Sequence, residues 1–195
     1  MKIKLIAFVI LFFSILSCSQ TKEFNYEPEI KKQLTAFFDN IKDKKIENAV
    51  NFIYPKYLDL VTREQMIKIL NFSYNNPAFK IEIQNFKINN VEKPELISNE
   101  YFSIATYSFE MKLKVDWDSI PNAELIKEKM KEAMISKYGK ENVTTLDNNE
   151  SYLINAHMKA CAISNDRKVW KFLILDEKYK PELINLLPQK ILDKF

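Results

Sequence analysis

The sequence predicts an α+β domain, with helices first and then antiparallel strands interrupted by one further helix. Three observations carry this. Apolar residues recur at helical spacing between Ile30 and Leu70. After Pro77 the period drops to two, and beyond Gly139 two more alternating runs follow a second helical stretch.

The chain opens with Lys2 and Lys4 and no acid, then residues 5–16 are apolar apart from Ser14. As a helix those twelve residues would reach about 18 Å, against roughly 30 Å of bilayer hydrocarbon. A basic start, a short apolar run and a small residue before a cut describe a secretory signal peptide. Ile15-Leu16-Ser17-Cys18 resembles the lipobox of bacterial lipoproteins. The resemblance implies cleavage before Cys18 and acylation of its thiol, a nucleophile able to take up a diacylglyceryl group. Two or more long chains, palmitate among them, then hold the protein on a membrane. The expected organisation is a signal peptide at 1–17, a lipidated tether at 18–27 and one domain at 28–195. Ser19 stands where an inner-membrane aspartate would, and Glu23 is the one acid of the tether. The resemblance therefore implies the periplasmic face of the outer membrane. An ordinary cleaved signal with a chance cysteine, or an uncleaved span, is the competing expectation.

Each element of the domain has its own signal. Ile30, Leu34, Phe37, Phe38 and Ile41 mark an amphipathic helix of about four turns. Residues 46–53 continue as a second short helix, stopped by Pro55. Thr62-Arg63-Glu64-Gln65 is a capping box ahead of Met66, Ile67, Ile69 and Leu70, and Asn75-Asn76-Pro77 ends that third helix. Phe79, Ile81 and Ile83 alternate, then Phe86, Ile88 and Val91 resume past a bulge near Asn85. Residues 101–115 alternate more cleanly. Tyr101, Ala105, Tyr107, Phe109, Met111, Leu113 and Val115 form a core face, while Thr106, Ser108, Glu110, Lys112 and Lys114 face water. Residues 121–138 make another helix, with Gly139 at its C-terminal cap. Residues 143–146 and 152–164 read as strands, and 165–168 as a hairpin turn into 169–175. Leu183, Leu186, Leu187, Ile191 and Leu192 dock the tail.

Composition excludes more than it assigns. The 195 residues carry 29 basic and 26 acidic side chains; removal of Lys2 and Lys4 leaves 27 against 26, no footprint for nucleic acid. With Cys18 acylated, Cys161 has no partner for a disulfide. One glycine, Gly139, excludes Gly-rich phosphate loops. His157 is the sole histidine, so no metal site and no cofactor is expected.

The stretch Phe52 to Leu70, the alternating YFSIATYSFEMKLKV and the ACAISNDRKVWKFLIL near the end carry a likeness of layout. In that layout the chain resembles uncharacterised Gram-negative lipoproteins with an NTF2-like domain. The resemblance implies N-terminal helices packed on a curved, mostly antiparallel sheet in a cone, with 121–138 as a helical insertion. It also implies a pocket at the cone's mouth, where Tyr54, Tyr57, Tyr107, Trp117 and Trp170 could bind a small molecule; the same rings would equally serve to fill a large core.

Asp116-Trp117-Asp118 places two carboxylates around an aromatic, and with Tyr107 they are the candidate acid–base groups; the competing role for Asp118 or Ser119 is a turn and helix cap. Cys161 and His157 share a strand face, but about 13 Å apart they cannot form a nucleophile pair. Leu153, His157, Cys161 and Ile163 mix apolar and polar groups on one strand face, expected to pair with a second copy. The function expected is therefore a non-catalytic, membrane-anchored binding domain for a small ligand or an envelope protein. The alternatives are a small-molecule enzyme of the NTF2-like isomerase or hydrolase type, and an envelope assembly factor.

Overall fold

A computed structural model describes residues 25–147 and 151–195. The signal peptide at 1–17, Cys18, most of the tether and residues 148–150, between the strands expected at 143–146 and 152–164, lie outside the described residues.

Helix α1 spans Tyr26–Lys42 and buries Ile30, Leu34, Phe37, Phe38 and Ile41, the stripe its spacing predicts. It begins two residues inside the expected tether, where Glu27 pairs with Lys31 at 2.6 Å across one turn and Tyr26 packs on the core. Helix α2 is only Ile46–Val50. Pro55 does not merely stop it: as the first residue of α3 (Pro55–Leu58) it starts a new turn, where its missing N–H is no loss. In between, the Phe172 N–H donates to the Phe52 carbonyl at 2.8 Å and the Tyr54 N–H to the Phe172 carbonyl at 3.2 Å. Helix α4 (Arg63–Tyr74) carries the expected capping box, with the Gln65 N–H donating to Thr62 Oγ1 at 3.3 Å and the Thr62 N–H to Gln65 Oε1 at 3.0 Å.

Strands β1 (Phe79–Val91), β2 (Glu95–Ile97), β3 (Glu100–Val115), β4 (Val143–Leu146), β5 (Ser151–Ser164) and β6 (Lys171–Leu175) form one open antiparallel sheet. Its axis is the β3–β5 pair, unbroken from Tyr101 opposite Ser164 to Lys114 opposite Ser151. β1 and the short β2 share the other edge of β3, and β4 and β6 divide the far edge of β5. β1 slips register between Gln84 and Lys87, with Asn85 at φ 53°, and again between Ile88 and Asn90. The first slip is the bulge the parity change predicts. The second turns Val91 back into the core.

Helix α5 (Ala123–Tyr138) leaves the sheet between β3 and β4 and returns across it. It ends at Gly139, whose φ of 88° few other residues tolerate, with its N–H donating to the Ile135 carbonyl at 2.9 Å. The sheet face that carries Tyr107 and Leu113 holds two separate apolar clusters. One joins α1, α2 and α4 to Ala105, Ala160 and Trp170; the other joins α5 to Leu113, Tyr152 and Ile154.

The second face is not wet along its whole length, contrary to the alternation. Phe102 and Ile104 of β3, Cys161 and Ile163 of β5, and Leu173 and Leu175 of β6 all point there. The tail, with α6 (Lys180–Leu183) and α7 (Gln189–Leu192), lies over them through Leu183, Leu187, Ile191 and Leu192. Ion pairs of Lys190 with Glu95 and of Lys194 with Glu92 and Glu95 fasten its end. Lys112 and Lys114, beyond the tail, stay exposed as expected.

The β5–β6 turn is longer than the four residues predicted. Asp166 Oδ1 accepts the Lys168 and Val169 N–H groups at 2.8 and 2.9 Å, which hold its carboxyl below the usual range. Gln33 of α1 clasps this turn: its Nε2 donates to the Lys168 carbonyl at 2.7 Å and its Oε1 accepts the Trp170 N–H at 2.8 Å.

Two substitutions test this account by urea unfolding. Gln33→Ala strips the Trp170 N–H of its partner beside a fully buried indole, and should lower stability by about 1–3 kcal/mol. Tyr152→Phe should be neutral or stabilising by up to about 1 kcal/mol, because the Tyr152 hydroxyl is buried with no hydrogen-bond partner among the described residues.

Candidate functional site

Where the two clusters fail to meet, a cavity of about 560 Å³ remains. Phe37 and Phe38 of α1, Leu70 and Tyr74 of α4, and Tyr107 and Phe109 of β3 line its apolar side. Lys137 and Tyr138, at the C-terminal end of α5, meet Asp176, Tyr179 and Glu182 of the tail on the other. Lys137 Nζ lies 3.2 Å from Asp176 Oδ2, joining α5 to the tail.

Packing explains the gap. Ala105, Ala160 and Ala162 place small side chains under the aromatic rows of α1, so Phe38 stacks on Phe86 at 4.4 Å and leans on Tyr107 at 4.8 Å. α5 covers the sheet farther along and reaches the cavity only with its last turn.

The electrostatics set what the phenols can do. Tyr107 is 2% exposed. Burial pushes its hydroxyl well above the ordinary range, and Tyr74, Tyr138 and Asp176 push it further. Tyr74 is raised by burial and by Tyr138, against the pull of Lys137. Both phenols are neutral donors at physiological pH, and neither is given a hydrogen-bond partner among the described residues. Burial works against the Lys137 ammonium, but Tyr138 and Asp176 outweigh it and hold its pKa above the usual value. The site offers aromatic surface, phenol O–H donors that include Tyr74 and Tyr107, and one neutralised cation.

Of the five aromatics expected at one mouth, only Tyr57 and Tyr107 line this cavity. Tyr54 lies elsewhere, in a smaller cleft beside the β5–β6 turn. Its hydroxyl donates to both Glu100 oxygens at 2.9 and 3.0 Å, and Lys56 Nζ reaches Glu100 at 2.7 Å. Burial raises the Tyr54 phenol, and the bond to Glu100 raises the Lys56 ammonium. Trp117 packs under α5 with Lys127 5.3 Å above its ring. Trp170 is fully buried, its indole N–H on the Arg167 carbonyl at 3.0 Å.

The expected acids do not join Tyr107 either. Asp116 and Asp118 are exposed in the turn after β3, in a separate cleft, and nine strand residues put Asp116 about 30 Å from Tyr107. Neither caps α5: Asn122 precedes that helix with φ 56° and no side-chain cap, and the Ser119 hydroxyl donates to the Asp116 carbonyl at 2.8 Å.

Cys161 and Ile163 lie under the chain's own tail and so are closed to a second copy; exposed His157 and half-buried Leu153 are what that face presents. Among the described residues no group of three His, Cys, Asp or Glu side chains is placed to hold a metal ion. Nor, among them, is any helix long and apolar enough to cross a membrane.

The sequence reading missed Tyr74, Lys137, Tyr138, Asp176 and Tyr179. One signal was present: α4 and the helix before Gly139 both end on a tyrosine, on the side from which the chain turns back to the sheet. No protein-family model, curated protein or solved structure matches the chain.

Because burial raises the Cys161 thiol and the tail covers it, a Cys18→Ser chain should react with a thiol reagent only on unfolding. Labelling in native buffer at the rate of a free thiol would show that the tail is not docked.

Proposed function

We propose that this protein is a lipid-anchored component of the bacterial cell envelope, held through Cys18 at the periplasmic face of the outer membrane. Its NTF2-like α+β domain binds a small amphipathic molecule in the tyrosine-lined cavity and does not transform it. The observation that carries the binding reading is Tyr107: a phenol only 2% exposed that lines a cavity and has no hydrogen-bond partner among the described residues. Its O–H is left to the cavity, where an acceptor on a ligand would engage it. The volume falls within the range of small-molecule pockets.

The anchor rests on the Ile15-Leu16-Ser17-Cys18 sequence and the short apolar run before it. The non-catalytic reading is supported by the placement of Asp116 and Asp118 outside the cavity, and by the engagement of Asp176 with Lys137.

Two measurements test the two halves separately. A metabolic fatty-acid label should appear on the wild-type chain and vanish in Cys18→Ala; labelling of both, or neither, removes the anchor. Native mass spectrometry of the full chain should find a bound small molecule. Tyr107→Phe is expected to weaken its retention about fivefold to tenfold, the worth of one hydrogen bond. Ile69→Trp, at the cavity's edge, should exclude it. Failure to find an adduct, or one indifferent to both substitutions, removes the binding reading.

A further inference from the structure

A second space adjoins the cavity at Lys137 and Tyr138. On their far side a groove of about 410 Å³ runs between α4 and α5, walled by Phe72, Phe79, Met111, Leu113, Met130 and Ala133. Ser73, Lys137 and Tyr138 belong to both spaces. The floor is also shared, since Tyr107, Phe109, Met111 and Leu113 stand on one face of β3. Six strand residues make that floor about 20 Å long. A compact ring would occupy the first space and leave the second empty.

The two spaces differ in chemistry. Two of the three polar side chains at their junction are engaged elsewhere: the Ser73 hydroxyl donates to the Ile69 carbonyl at 3.0 Å, and Lys137 is committed to Asp176. The groove is left apolar. Its rim carries Phe72, 67% exposed, with Ile69 of the same helix 52% exposed at the edge of the cavity. Large apolar side chains gathered at one rim, rather than scattered, mark a binding surface. The cavity proper holds the donors. Its charged side chains are Lys137, Asp176 and Glu182, so a carboxylate head would face two acids and a lysine already paired. A neutral acceptor suits Tyr74 and Tyr107 instead.

Building on the cavity-binding reading above, we infer that the ligand is a long-chain amphiphile with a neutral, hydrogen-bond-accepting head. The head lies among Tyr74, Tyr107 and Tyr138, and the chain runs along β3 between α4 and α5. Specificity is then divided, with phenols selecting the head and the groove measuring the tail.

Equilibrium dialysis of the full chain against 1-monoolein, its short homologue 1-monobutyrin and oleate tests this. Affinity should rise along the homologous series, by up to about fourfold for each methylene enclosed, and monoolein should exceed oleate. Ala133→Trp, an exposed position on the groove wall, should weaken monoolein at least tenfold and leave monobutyrin unchanged. The wild-type chain-length series makes the same test should that variant misfold. Equal affinity for the two homologues, or tighter binding of oleate, overturns the inference while leaving the cavity a binding site. Failure of both esters to bind a chain that still carries its native adduct does the same. Loss of the adduct as well removes both.

Discussion

Everything in this molecule is referred to one ladder, the unbroken pairing of β3 with β5. Because side chains alternate along a strand, a single register assigns every residue of both strands to a face. Here it puts Ala105, Ala160 and Ala162 together on one side, and Phe102, Ile104, Cys161 and Ile163 together on the other. A slip of one residue would turn over every side chain of the strand that slipped. If β5 slipped, Ala160 and Ala162 would lie beneath the tail and Cys161 and Ile163 beneath α1, and neither layer would close. The second edges of both strands are shared between shorter partners, so the long pair is what aligns the rest.

On that frame the helices are placed by volume. α1 brings Phe37 and Phe38 down onto alanines, and Gln33 fixes its height by holding the turn that leads into β6. α5 approaches the same face from the opposite end, through Met134 against Leu113 and Ile154. Two covers descending on one surface from different points in the chain leave a seam. The cavity is that seam, and its lining is mixed because it draws on the ends of elements, where tyrosines and charged residues sit, rather than on their middles.

Much of this was legible in the sequence, and the limits have physical causes. Helix α1, the capping box of α4, the bulge at Asn85 and the cap at Gly139 depend on neighbours within a few residues, so spacing alone exposes them. The double burial at the start of β3 depends on a tail some eighty residues away. Phe102 and Ile104 were the available sign, two large apolar residues on the supposedly wet parity. The site was less legible still. Tyr54, Trp117 and Trp170 looked alike in composition, but a hydrogen bond to Glu100, a lysine over a ring and full burial gave them three separate structural uses. Treating 121–138 as an insertion hid Lys137 and Tyr138, which became one wall of the cavity.

The contact between Lys137 and Asp176 ties α5 to the start of the tail beside the seam, and its lysine is partly exposed to solvent. Bonds of that kind contribute little in physiological salt and are weakened further by more of it. Prising α5 from the tail therefore asks far less than loosening the aromatic packing beneath. Exchange of an occupant becomes a local breathing motion, tuned by ionic strength, that leaves the β3–β5 ladder undisturbed.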